Sequence, residues 1–200
     1  MSRSVLNEIL TNGLTLAHTH QEALSKAEFK YIVAALESRA IPTPRLLIKN
    51  HKPRRNGEYP TRLVVPATNF TAGFANLGYR GIKALFENHG VTFDRHTIVQ
   101  ASDLKGKLEG LNIRCNFDTV VSFDAVNMYP SITFAMVRRA VTFFANSLPQ
   151  REKRSIALCL KFIRYAMGHT LLTFQGEYYE YGAEEEIDVK GLTIGGFESD

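Results

Sequence analysis

Apolar residues recur three and four positions apart in four stretches of the chain, the spacing of helices that bury one face. The predicted helices are 21–39, 72–88, 133–148 and 150–167. In the first helix we expect the buried stripe to consist of Leu24, Ala27, Tyr31, Ala34 and Ala35. Pro42 and Pro44 should end that helix, and Gly90 should end the second. Ser131 or Thr133 should cap the third.

Short runs rich in β-branched and aromatic residues predict strands between these helices. The predicted strands are 45–49, 61–66, 113–117, 119–123, 171–174 and 178–181. The turn signal Asn56-Gly57 predicts a β-hairpin with a basic tip, and Gln175-Gly176 predicts a second hairpin. The strand 119–123 delivers Asp124 to its end. Because helices and strands do not alternate regularly, the predicted fold class is α+β, with a small antiparallel sheet backed by helices.

Composition favours a soluble intracellular protein without a membrane span. Hydrophobic residues make up 44% of the 200 residues, which is enough for a core, and no apolar run is long enough to cross a bilayer. The N-terminus lacks the apolar segment of a signal peptide. Cys115 and Cys159 are expected to be buried free thiols, and the six histidines show no zinc spacing, so no structural metal is expected.

The distribution of charge indicates an anionic partner more clearly than the net charge of +4 does. Between positions 45 and 62 only Glu58 opposes a set of cations: Arg45, Lys49, Lys52, Arg54, Arg55 and Arg62. From position 177 onward the balance is acidic, with Lys190 as the one cation. Such an arrangement is typical of a protein that holds polyphosphate at one place and excludes it from another.

Three segments carry candidate chemistry, and each has a simpler structural explanation. Asp124, held at a strand end, would suit a Mg²⁺ ion that must be placed accurately, although its pattern alone favours the simpler explanation that it caps the turn that follows. The basic hairpin would engage a triphosphate, or its tip could be merely solvated. Gly195 and Gly196 would let the backbone approach a ligand closely, or form an ordinary turn.

In this order, the three segments resemble reverse transcriptases, and most closely those of Penelope-like retroelements. Leu-Ile-Lys-Asn-His-Lys-Pro at 47–53, followed by Tyr-Pro-Thr-Arg-Leu-Val-Val-Pro at 59–66, is similar to the family's fingers motif. Ser-Phe-Asp-Ala-Val-Asn-Met-Tyr-Pro-Ser-Ile at 122–132 resembles palm motif A. Thr-Phe-Gln-Gly-Glu-Tyr-Tyr-Glu at 173–180, with the glycine-rich end, resembles the hairpin that leads into motif B.

The resemblance implies an RNA-directed DNA polymerase of right-hand architecture. Its regions would be an N-terminal helical region at 1–44, fingers at 45–111 and a partial palm at 112–200 that stops before motif C and the thumb. Helices 21–39 and 72–88 would pack around the fingers hairpin, and the last two predicted helices would back the palm sheet. The incomplete palm would leave an exposed edge through which the chain could associate with itself.

The resemblance also implies roles for individual residues. Asp124 would be the catalytic carboxylate and, with the backbone carbonyl of Ala125, would bind Mg²⁺ or Mn²⁺. Lys52 and Arg62 would bind the dNTP triphosphate, and Tyr129 would stack under its sugar and exclude a 2′-hydroxyl. Further contacts to the RNA template, the DNA primer or the nucleotide would come from Arg45, Lys49, Arg54, Arg55, Gly195 and Gly196.

The chain departs from the family's pattern at three places. Leu63 replaces the usual Pro after the motif's Arg, Ile194 replaces Gln or Met before Gly195, and the Tyr/Phe-x-Asp-Asp motif is not found. The chain alone is therefore expected not to polymerise DNA. Two other classes remain open. One is a non-catalytic nucleic-acid-binding module that uses Phe70, Phe74 and Tyr79 for stacking. The other is a retroelement relic that binds neither nucleic acid nor dNTP.

Overall fold

The computed structural model of the protein describes residues 3–50, 53–54, 56–66, 68–90, 101–110, 128–181, 186 and 188. The helices in these ranges are α1 (Arg3–Thr19), α2 (Lys26–Ser38), α3 (Ala72–Asn88), α4 (Ala101–Gly110), α5 (Met128–Ser131), α6 (Phe134–Ala145) and α7 (Gln150–Gly168), with a 3₁₀ turn at Gln21–Ala23. The strands are β1 (Arg45–Ile48), β2 (Thr61–Val64), β3 (Leu171–Phe174) and β4 (Glu177–Glu180). The α+β class is confirmed. The predicted strands 113–117 and 119–123 lie outside the described residues.

Helix α2 begins later than predicted and buries a different face. Ser25 caps it in a reciprocal pair, in which the Glu28 amide N–H donates to Ser25 Oγ (3.2 Å) and the Ser25 amide N–H to Glu28 Oε2 (2.8 Å). Its buried residues are Ile32 and Leu36, whereas Tyr31 is 42% exposed. The predicted stripe was therefore wrong for Ala27, Tyr31 and Ala34, which are exposed, because large aliphatic residues occupy the core side of the helix. Leu24, which precedes the helix, is half-buried and packs against the core.

The other predicted helices are confirmed, with small shifts at their ends. Helix α3 has the predicted bounds and is followed by Gly90 in the left-handed region (φ 70°). Thr133 caps α6 by accepting a hydrogen bond from the Met136 amide N–H at 3.3 Å. Helix α4 forms in a polar stretch that the apolar pattern did not predict as helical.

The main core lies where α3 packs along α7, with α1 and α2 completing it. Its buried residues are Leu6, Ile9, Leu10, Ala17, Ile32, Leu36, Phe70, Phe74, Ala75, Phe162, Tyr165, Ala166 and Leu171. The α3–α7 approach is close, because a Cβ on Gly78 would lie 2.9 Å from the Cys159 carbonyl oxygen. All three predicted regions, 1–44, 45–111 and 112–200, contribute to this core, and the division between them stays a prediction.

Both predicted hairpins are present. Their turns are Asn56-Gly57 (φ 52° and 84°) and Gln175-Gly176 (φ 51° and 80°), and positive φ at both central residues is typical of the turns that fit strand twist. The hairpin β3–β4 is anchored in the fold, since Leu171 and Leu172 are buried and the Thr173 amide N–H donates to the Pro42 carbonyl at 2.9 Å.

No part of the chain that the structure describes covers the hairpin β1–β2 in this way. All four residues of β1 are exposed, and those of β2 are exposed or half-buried. The expectation that helices 21–39 and 72–88 pack around it was wrong, because the apolar faces of α2 and α3 are used against each other and against α7. No helix in the described ranges combines the length and apolar character needed to cross a bilayer.

Candidate functional site

The hairpin β1–β2 places cations together on one of its two faces. Arg45 pairs with Val64 and Leu47 with Arg62, so the two arginines are diagonal neighbours on the same face. The Lys49 amide N–H donates to the Pro60 carbonyl at 2.8 Å, which continues the ladder and gives Lys49 the same side. The ion pairs formed among the described residues include none of these three cations. We call Arg45, Lys49 and Arg62 the basic face.

The opposite face of the hairpin is apolar and equally accessible. Leu46, Ile48 and Leu63 alternate with the basic face and are 67%, 65% and 44% exposed. A two-stranded hairpin with both faces in water is only marginally stable by itself. Its base is fixed by Val65, which is buried directly after β2. The hairpin is thus anchored at Val65 and exposes a cationic face and an aliphatic face to solvent.

The tip of this hairpin carries a stacked pair. The Arg54 guanidinium lies 4.5 Å from the centroid of the Tyr59 ring, and its Nη2 donates to the Tyr59 hydroxyl at 3.4 Å. This pairing fixes one face of Tyr59 and keeps the Arg54 charge at the end of the hairpin. Lys52 and Arg55, the other predicted cations of the tip, lie outside the described residues.

Tyr129 lies in α5 and is half-buried. It packs, with Ile132, against a small cluster whose buried members are Phe134 and Met167. Its backbone carbonyl accepts a hydrogen bond from the Ile132 amide N–H at 3.0 Å, which closes the turn into α6. The ring is therefore positioned by the same helices that were expected to back the palm. Its predicted contact with a nucleotide sugar stays a prediction.

The predicted metal and template residues fall in the undescribed part of the chain. Asp124, Ala125, Gly195 and Gly196 all lie outside the described residues. Within the described ranges, no group of three His, Cys, Asp or Glu side chains is arranged to hold a metal ion. Of the predicted site residues, the structure brings together Arg45, Lys49 and Arg62.

Two of the three proposed stacking residues are core residues. Phe70 and Phe74 are both 0% exposed, and the Phe74 ring packs 5.3 Å from that of Phe162. Their assignment as a nucleic-acid stacking surface was wrong, because a base cannot reach a ring enclosed by helices. Tyr79 alone of the three is exposed, at 52%.

Sequence reasoning missed a groove that runs along α7. It has a volume of about 520 Å³ and lies between α7, α3 and the start of α2. The signal was present in α7, where Arg154, Ala157, Lys161 and Arg164 follow 3-4-3 spacing on the exposed side. The cations of this set, Arg154, Lys161 and Arg164, lie outside the apolar stripe of α7, so that stripe alone does not indicate them.

The groove also borders the thiol of Cys159. This cysteine is free and half-buried, and burial raises the pKa of its thiol to about 11. The prediction of a buried free thiol is therefore met in part, while Cys115 lies outside the described residues.

Comparison of the chain with protein-family models, with curated proteins and with solved structures finds no match.

Proposed function

We propose that the chain forms the fingers and front palm of a reverse transcriptase, a domain that transfers dNTPs to a primer 3′-hydroxyl on an RNA template. The observation that carries the proposal is the exposed basic face of the β1–β2 hairpin, in the segment that resembles the fingers motif. Three cations that have no carboxylate partner among the described residues repel one another, and an incoming triphosphate would relieve that repulsion. Arg62 would contribute most, since its planar guanidinium can bind phosphate oxygens in pairs.

The chemistry would be supplied by Mg²⁺ or Mn²⁺, which stabilises the attacking and leaving oxygens of phosphoryl transfer. The Asp124 carboxylate and the Ala125 carbonyl are oxygen donors of the kind that such ions prefer. They are too few for two ions that each take about six ligands. We therefore expect these 200 residues alone not to extend a primer. Robust Asp124-dependent synthesis from dNTPs on an RNA template would contradict this expectation.

Binding of dNTP in the presence of Mg²⁺, measured by calorimetry, tests the proposal directly. Arg62→Ala should weaken binding about 10- to 100-fold, since it removes charge-assisted hydrogen bonds to phosphate. The dNTP affinity of Arg62→Lys should lie between those of the unaltered protein and of Arg62→Ala, because lysine keeps the charge but cannot bind two phosphate oxygens at once as the planar guanidinium can. Arg80→Ala is the matched control, since Arg80 is exposed on α3. Equal losses at positions 62 and 80 would refute the assignment.

A non-catalytic nucleic-acid-binding module is the second candidate, and the Arg54–Tyr59 stack at the hairpin tip favours it. Such a module would bind single-stranded RNA with a steep dependence on salt and with no contribution from dNTP or Mg²⁺. Filter binding of RNA with and without dNTP therefore distinguishes the two functions. A chain that binds neither ligand would be the retroelement relic.

A further inference from the structure

The groove along α7 has an apolar floor and charged ends. Leu77 and Leu85 of α3 and Leu158 of α7 are half-buried and line the groove, and Leu158 lies between its two cations along α7; Ala84, which also lines the groove, is exposed. The groove closes below on Phe162, which is buried. Clefts of this size with leucine-rich floors and few polar groups are typical binding sites. Water against these leucines is unfavourable, so an apolar occupant would stabilise the groove.

Cations stand at both ends of this floor. Lys161 lies at one end, with its Nζ 3.5 Å from His20 Nε2, and Arg154 lies at the other, two helical turns earlier in α7. Seven residues of helix separate the two cations by about 10.5 Å along the axis. The ion pairs among the described residues include neither Lys161 nor Arg154. Glu28, the one acid among the described residues that line the groove, accepts the Ser25 amide N–H.

We propose that this groove binds an acidic amphipathic helix of a partner protein. Leucine-type side chains of that helix would occupy the floor between α3 and α7, as in other complexes where a helix lies in a groove. Acidic residues seven positions apart, and hence two turns apart on one side, would meet Lys161 and Arg154. The occupant is chosen for its charge, which complements the two cations, and for its apolar side, which complements the leucines.

Nucleic acid fits the groove less well than a helix does. A nucleic-acid strand carries a phosphate at every nucleotide, whereas the groove offers aliphatic side chains between its two cations. The aromatic ring of Phe162 is buried and is not available as a stacking surface. The inference is independent of the proposed polymerase function, because no residue of the basic face lines the groove.

Stapled synthetic helices of equal composition test the geometry. One peptide carries Glu at i and i+7 with Leu at i+3 and i+4, and its isomer carries the second Glu at i+5, on the far side of the helix. Stapling removes differences in helix content, which would otherwise dominate short peptides. Fluorescence anisotropy should show that the i, i+7 peptide binds about 2- to 5-fold more tightly, as expected for one exposed ion pair.

Exchange of charge across the interface gives a second readout. Lys161→Glu should weaken the acidic peptide about tenfold, because attraction is replaced by repulsion. A peptide with Lys in place of both Glu residues should instead prefer the Lys161→Glu variant to the unaltered protein. A loss of affinity from misfolding could not produce this reversal.

Ala84→Gln tests the groove itself, since it adds bulk at an exposed position on the edge of the floor. It should weaken the peptide at least tenfold, while Ala140→Gln, on the exposed side of α6, should leave binding unchanged. Equal binding of the two peptide isomers, or no saturable binding up to about 1 mM, would overturn the proposal. So would displacement of the peptide by single-stranded RNA with loss of RNA binding in Lys161→Glu, which would mark the groove as a nucleic-acid surface.

Discussion

Gly13 in α1 shows how one missing side chain permits a contact between distant parts of the chain. A Cβ at this position would collide with the hydroxyl of Tyr165 and would lie 2.9 Å from Leu36 Cδ2. The Tyr165 hydroxyl donates to the Ile9 carbonyl at 2.8 Å, and burial raises the pKa of this phenol. The glycine thus lets α1 approach α7 closely enough for a buried hydrogen bond to form.

Gly13→Ala should therefore lower the free energy of unfolding by about 1–3 kcal/mol, the usual cost of forcing an extra group into a packed core. Gly106→Ala is the matched control, because nothing lies within 4 Å of a Cβ at that helical position. The control should be neutral or stabilising by up to about 1 kcal/mol. Urea titrations of both variants measure the difference, and equal effects would contradict the packing argument.

Cys159 should titrate late and react slowly. Burial raises the pKa of its thiol from 9.0 to about 11. In the unfolded chain the rate of alkylation should stop rising near pH 9.0, whereas in the folded protein it should keep rising about tenfold per pH unit up to about pH 11. Because folding favours the neutral thiol, this contribution to stability is complete below pH 9.0 and is lost between pH 9.0 and about 11. Peptide mapping of alkylated Cys159 against pH checks the prediction, and a plateau near 9.0 in the folded protein would refute it.

At the scale of elements, local signals predicted the parts of the fold that local chemistry determines. The two positive-φ turns, the Thr133 cap and the bounds of α3 all follow from residues close in sequence. The phase of α2 did not follow, because Phe29, Ile32 and Leu36 gain their burial from α1 and α3, which the pattern of α2 alone does not contain. The same limit applies to the groove, whose walls come from separate helices.

The cap of α2 offers a measurable test at this scale. Ser25→Ala removes the acceptor of the Glu28 amide and should cost about 1 kcal/mol. Ser155→Ala, on the exposed side of α7, replaces a serine by a better helix former and should cost nothing. Thermal unfolding followed by circular dichroism compares the two, and a cost at position 155 equal to that at position 25 would contradict a capping role.

For the molecule as a whole, the main core joins residues from both halves of the chain. Leu10 of α1 and Leu171 of β3 belong to the same buried cluster. The candidate site could not be predicted to the same extent, since its three cations were identifiable but their shared face depends on strand register. A shared core implies that α1, α2, α3, α7 and β3 unfold together.

Leu10→Ala should therefore lower the free energy of unfolding by about 2–5 kcal/mol and weaken the protection of backbone amides in both α1 and β3. Val5→Ala is the control, since Val5 is 39% exposed on the same helix. The free energy of opening measured by hydrogen exchange should then fall by a similar amount in α1 and in β3. Faster exchange in α1 alone would show that the N-terminal helix is an independent unit.

The uncovered hairpin β1–β2 has a consequence for detection of ligands. Its amides are protected only by the pairing of two short strands, so deuterium should enter them sooner than the amides of β3, whose leucines are buried. A ligand that binds the basic face should slow deuterium exchange at these amides, and the ligand itself needs no label. Hydrogen exchange in the β1–β2 hairpin can therefore report ligand binding to the unaltered protein in solution.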